Sequence, residues 1–166
     1  MTVPPPGPEW IEDHMAITFS LPQSELSRAA QTVNQAVPTR STLPALMNIH
    51  LEVEGDELRL TATDLDTSVT LAVPCEDASP GRTLVPARLF TDLVKSLPPD
   101  LVKVTPEGET IRIASKGGEF SLPTADPDDY PQLPKLEHER RLKLPSSAFA
   151  GLVRKVVDFV SAEDNR

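Results

Sequence analysis

Asp64 and Asp66 form a D-x-D pair that can hold a divalent cation or shape a tight turn through side-chain to backbone hydrogen bonds. The turn is the preferred reading, because alternating apolar segments flank the pair. Asp126, Asp128 and Asp129 repeat the acidic theme in a stretch too irregular for rigid metal geometry. His14, His50 and His138 stand far apart, none with a second ligand at metal spacing. Cys75, in Pro-Cys-Glu, has no basic neighbour to activate it and reads as a structural thiol. Lys116-Gly117-Gly118 lacks the frame of a phosphate loop and suits a hairpin turn. These residues predict no catalytic group, no metal and no cofactor. Arg40-Ser41-Thr42 is different, since all three side chains suit phosphate contact. An ordinary surface loop would look the same, and both readings stay open.

The elements that must carry such residues follow a repeat. An apolar residue precedes a proline, and apolar residues follow four, seven, eight and eleven positions past it. Leu21-Pro22 leads to Leu26, Ala29, Ala30 and Val33; Val85-Pro86 leads to Phe90, Leu93, Val94 and Leu97. Leu144-Pro145 leads to Phe149, Leu152, Val153 and Val156. That spacing lays one apolar stripe along an α-helix, and a proline in the first turn loses no hydrogen bond. The copies recur about every 60 residues, the mark of a structural repeat.

Strands fill the intervals. Ala16–Leu21 enters the first helix, from Pro22 to about Val37. Met47–Val53, Glu57–Thr63 and Thr67–Val73 then alternate with period two and are joined by short turns, so they predict antiparallel neighbours. Arg82–Val85 enters the second helix, Pro86–Leu97, and Leu101–Thr105, Thr110–Ser115 and Glu119–Leu122 follow. The result is an α+β fold of two βαβββ repeats, both helices packed on one side of antiparallel sheets. Residues 1–14 are proline-rich and predict a flexible extension, leaving 15–137 as the first domain. Thr124–Glu137 reads as an extended connector. Residues 138–166 hold a strand at Glu139–Leu144 and a third helix, the incomplete start of a second domain.

Composition narrows the function classes. The 166 residues are 39% hydrophobic and 25% charged, as in a globular chain, and no apolar run reaches the length of a membrane span. The first residues lack the basic and apolar segments of a secretory signal, and a single cysteine fits a reducing cytoplasm. A net charge of −9 opposes a general grip on nucleic acid or anionic lipid. The helices reverse that sign: Arg28, Arg88, Lys95, Arg154 and Lys155 outnumber Glu25, Asp92 and Asp158. Such a face suits loose contact with a polyanion, or simple solvation.

Arg40–Leu46 (RSTLPAL), Leu58–Asp66 (LRLTATDLD), Val85-Pro86-Ala87 and Phe120-Ser121-Leu122 resemble, in order and spacing, the first domain of the bacterial DNA polymerase III beta subunit, the sliding clamp family. The resemblance covers residues 15–137 as a complete domain and 138–166 as the beginning of the next. It implies a non-enzymatic processivity factor. Two three-domain protomers would close head to tail around double-stranded DNA, with helices lining the hole, and tether DNA polymerase III after a clamp loader has placed the ring. Arg40 matches a DNA-contacting arginine of the family, Arg166 resembles its counterpart in the second domain, and the five helix cations become candidate lining residues. Strand Glu119–Leu122 matches the edge that meets the neighbouring protomer, making Lys116, Phe120 and Leu122 candidate interface residues. Gly117 and Glu119 leave that edge less basic than in some members. The family's peptide pocket lies between the second and third domains, so it is not expected here. Either the chain is a fragment of a longer clamp or a truncated form; in the latter case it would serve as a protein-interaction module through its sheet edge.

Overall fold

The computed structural model describes residues 17–132 and 143–160. Contacts divide the chain into two units, Met1–Leu133 and Pro134–Arg166. In the first, strand β1 (Thr18–Pro22) passes without a loop into helix α1 (Gln23–Val33), and β6 (Gly81–Pro86) passes likewise into α2 (Ala87–Ser96). Each junction is the repeated proline. Pro22 and Pro86 keep extended ψ values of 135° and 114° one residue before the helix begins. They therefore end a strand and start a helix at once, without spending an N–H that either would need. A single 3₁₀ turn, Asn34–Ala36, extends α1 to just short of Pro38.

The remaining strands are β2 (Asn48–Glu54), β3 (Glu57–Thr63), β4 (Ser68–Pro74), β5 (Glu76–Ser79), β7 (Leu101–Glu107), β8 (Thr110–Ser115) and β9 (Gly118–Pro123). They form two sheets, ordered β5-β1-β7-β8-β9 and β4-β3-β2-β6, antiparallel throughout. The halves are interlocked. The first strand of each crosses to the other's sheet, β1 beside β7 and β6 beside β2. One continuous core results, in which Leu26, Ala29, Ala30 and Val33 of α1, Phe90 and Val94 of α2 and Leu97 just past it are buried. α1 and α2 also pack on each other. Burying each large side chain contributes roughly 1.5–3 kcal/mol, so the helical stripes and the sheet interiors hold one another in place.

One element lies outside the sequence reading and one expectation needs correction. Residues 76–79 form β5, which the sequence does not advertise: Glu76-Asp77-Ala78-Ser79 is acidic and short. Its pairing with β1 is irregular, Asp77 has φ +48°, and the Ser20 hydroxyl donates to Asp77 Oδ2 at 3.3 Å. Thr124–Glu137 is also no free connector over its first part. Ala125 exchanges two backbone hydrogen bonds with Leu84 at the outer edge of β6, and Asp126 caps the 3₁₀ turn Pro127–Asp129. Arg82 pairs with Asp128 at 2.8 Å, while Pro127 and Tyr130 are buried. Thr61, Thr63 and Leu84, which face outward on the four-stranded sheet, are buried, so this face is covered as well.

In the second unit α3 spans Ser146–Val157 and carries no buried residue. Lys143–Pro145 have no regular structure, and residues 139–142 of the expected strand lie outside the described residues, as do the 1–14 extension and Arg166.

Candidate nucleic-acid interface and subunit edge

The outward face of α1 is polar but nearly uncharged. Gln23, Ser24, Ser27, Arg28, Gln31, Thr32 and Gln35 border a shallow trough along it. The apolar stripe commits the opposite side to the core, so these residues, apart from buried Ser27, are what remains for solvent. On α2 the exposed side chains include Arg88, Asp92 and Lys95. Arg88 lies 3.9 Å from Asp92 on the next turn, both largely exposed, a contact worth little in water. Arg28, Lys95 and Arg40 make no ion pair among the described residues and are exposed. The charged side chains of α1 and α2 thus comprise three cations and two acids, a weak positive bias.

Arg40 sits in the irregular segment beyond α1. The backbone N–H of Leu43 donates to Ser41 Oγ at 3.0 Å, a local turn that shapes the loop and occupies one lone pair of that hydroxyl. Arg154 and Lys155 are exposed in the last turn of α3 and belong to the second unit.

Strand β9 bonds only β8 and is the last strand of its sheet. Of the candidate interface residues, Phe120 is 38% exposed and faces the rim of the core opposite Ile113. Leu122 differs from expectation. It is 8% exposed and belongs to the core opposite Ile111, because alternation along β9 turns it inward where the sheet is covered. Its side chain is a core element, and only its backbone belongs to the edge. Lys116 Nζ lies 2.9 Å from Asp100 Oδ2, while the lysine side chain itself stays 81% exposed at the surface of the turn. That hydrogen bond holds the Asp100 carboxyl below the usual carboxylate range. On the outer face of the same sheet Arg112 bonds Glu107 and approaches Glu119 at 3.6 Å.

The residues set aside as non-catalytic have local roles. Asp64 Oδ1 accepts the N–H groups of Asp66 (3.1 Å) and Thr67 (2.6 Å). Thr63 Oγ1 accepts the Leu65 N–H at 3.0 Å, holding Leu65 at φ +80° with its side chain 60% exposed. Cys75 is buried, and burial beside Asp56 and Glu57 pushes its thiol pKa up, away from reactivity. His50 stacks on Tyr130 with centroids 5.6 Å apart, and burial lowers its pKa. Among the described residues no three His, Cys, Asp or Glu side chains converge as a metal site, and no helix is long and apolar enough to cross a membrane.

A doubled strand–helix–sheet domain with paired helices and an open edge strand is the architecture of a DNA clamp domain. Residues 17–134 match the family profile "DNA polymerase III beta subunit, N-terminal domain", and the chain belongs to that family. It is 30% identical over 157 residues to the beta sliding clamp of Bacillus subtilis, covering 89% of this chain and 42% of that protein. It is 34% identical over 139 residues to the beta sliding clamp of Vibrio harveyi, covering 82% of this chain and 96% of the relative. Among solved structures, the Bacillus subtilis sliding clamp superposes with a TM-score of 0.82 at 29% identity, over 91% of this chain and 42% of that one. The Pseudomonas aeruginosa clamp bound to griselimycin gives 0.80 at 31% identity, over 90% and 41%. The chain thus spans about two fifths of the Bacillus and Pseudomonas clamps.

Proposed function

We propose that this chain acts as the first domain of a sliding clamp, a non-catalytic processivity factor that helps encircle duplex DNA in the cytoplasm. The observation that carries this reading is the face of the paired helices. It offers scattered, unpaired cations among hydroxyls and amides, and no cluster rigid enough to read bases. Sliding needs weak, sequence-blind phosphate contact, because tight base recognition would halt the ring. Arg28, Lys95 and Arg40 supply such contacts, with Arg88 partly offset by Asp92. Arg154, Lys155 and Arg166 would serve the same role from the second domain. The acidic remainder of the chain repels DNA elsewhere and confines contact to this face. In this reading β9 joins the neighbouring protomer through its backbone edge and Phe120, and DNA polymerase III and the clamp loader act on the assembled ring.

Arg40→Ala tests the loop beyond α1 as a phosphate contact. Association with duplex DNA at low salt, read by fluorescence anisotropy, should weaken, and the slope of log affinity against log salt should fall by about one for a lost phosphate contact. Unchanged association with an unchanged slope would remove Arg40 from the interface. The exposed rim at Phe120 favours a second use of the same edge, capture of a clamp protomer by a truncated chain. Pairing with a clamp in the absence of any DNA retention would select that use.

A further inference from the structure

Four chain segments meet at one end of α2. The Gln23 side chain donates from Nε2 to the Val94 carbonyl at 2.7 Å, satisfying an acceptor in the last turn of α2. The Gln23 backbone N–H donates to the Asp100 carbonyl at 2.8 Å, tying the start of α1 to the loop between α2 and β7. The Asp100 carboxylate holds Lys116 Nζ at 2.9 Å, reaching the β8–β9 turn. Beside it, the Gly117 N–H donates to Ser115 Oγ at 3.1 Å. A Cβ on Gly117 would stand 2.8 Å from Pro98 Cδ and 3.3 Å from Cγ. The φ of Gly117 does not demand glycine; the proximity of the Pro98 ring does, and that ring cannot swing aside as a flexible side chain would.

We infer that Gly117 and Lys116, with Gln23 and Asp100 behind them, are positioning residues for the subunit edge: they press the β8–β9 turn onto the end of α2 and so fix β9 relative to the helix face. This assignment rests on the reading of β9 as the edge that meets another protomer. Lys116 then serves the joint by orienting the turn through an exposed ion pair with Asp100. A ring gains from such a latch, since an edge strand anchored only to β8 would twist and slide on its single partner. Anchoring the turn to the helices carries the edge and the helix face as one body.

Hydrogen exchange on the whole 166-residue chain tests the latch without any partner. Gly117→Ala should speed exchange of the amides that join β9 to β8 by about tenfold or more, with β2–β3 amides unchanged, as expected for local opening. Gly117→Ala combined with Pro98→Ala should return β9 to within about threefold of the parent, because the second substitution removes the atoms that the new Cβ meets. Lys116→Ala should give a smaller acceleration that added salt imposes on the parent as well. Exchange unchanged in Gly117→Ala, or no recovery in the double variant, would overturn the assignment. Should Gly117→Ala fail to fold, Lys116→Ala and Gln23→Ala decide it: an unaltered β9 in both refutes the latch. The joint itself fails by a separate measurement. If Glu119→Pro, which should spoil the outer edge of β9, leaves association with the Bacillus subtilis beta sliding clamp unchanged in ultracentrifugation, β9 is not the joint, whatever the exchange data say.

Discussion

Phe90 and Phe149 occupy the same place in two copies of one pattern, four residues past a proline, yet Phe90 is fully buried and Phe149 is 58% exposed. The whole stripe of α2 goes inward, down to half-buried Leu93. On α3 the corresponding Phe149, Leu152, Val153 and Val156 all face solvent. The difference teaches that a helical stripe states only a need for cover. The first unit supplies it with two sheets, whereas no strand is described in the second. A contiguous apolar stripe left uncovered is an adhesive surface.

The sharpest way to break this comparison is to truncate both phenylalanines. Phe90→Ala should cost about 3–5 kcal/mol of stability in denaturant unfolding, through lost burial and a cavity between the sheets. Phe149→Ala should stay within about 0.5 kcal/mol. A matching loss at both positions would mean that α3 is packed in solution. Leu152→Lys should then reduce any concentration-dependent association seen by light scattering, while leaving the unfolding transition of the first unit in place.

A smaller effect separates the buried and exposed sides of the four-stranded sheet. His50 is held neutral chiefly by burial, with Arg82 adding to the depression and Glu52 opposing it. The unfolded chain therefore takes up a proton more readily than the native one. The stabilising contribution is complete above the ordinary histidine value of 6.5 and is lost as pH falls from there toward the lowered native value. Unfolding midpoints compared between pH 7.5 and 5.5 should fall less in His50→Gln than in the parent. The smallest effect on stability belongs to Arg40→Ala, expected within about 0.5 kcal/mol because the side chain is exposed and unpaired. A larger loss in that variant would assign Arg40 to the fold.

Much of the architecture was legible in the chain itself. Alternation located β3 and β8 residue for residue, since successive side chains of a strand point to opposite faces and one face of each carries the apolar set. The proline-headed stripes located α1 and α2 for an equally local reason. β5 escaped because its acidic residues advertise no buried face, and its place depends on β1, more than fifty residues earlier. The docking of residues 124–130 escaped too: Tyr130 and Pro127 form no period, and what they cover lies on a distant sheet. The candidate site divides in the same way. Exposed cations on helices were readable, but the burial of Leu122 and the engagement of Lys116 by Asp100 were not. Each depends on which side of β9 the core closes over and on where the α2–β7 loop happens to end.

What the sequence determined by itself was a set of elements with the correct faces turned inward, because periodicity is a local property of the backbone. Tertiary structure decided the partners: that β1 and β6 exchange sheets, that Gly117 must clear Pro98, and that Leu122 turns into the core. Those outcomes turn on which surfaces meet in space, and no run of neighbouring residues encodes that meeting.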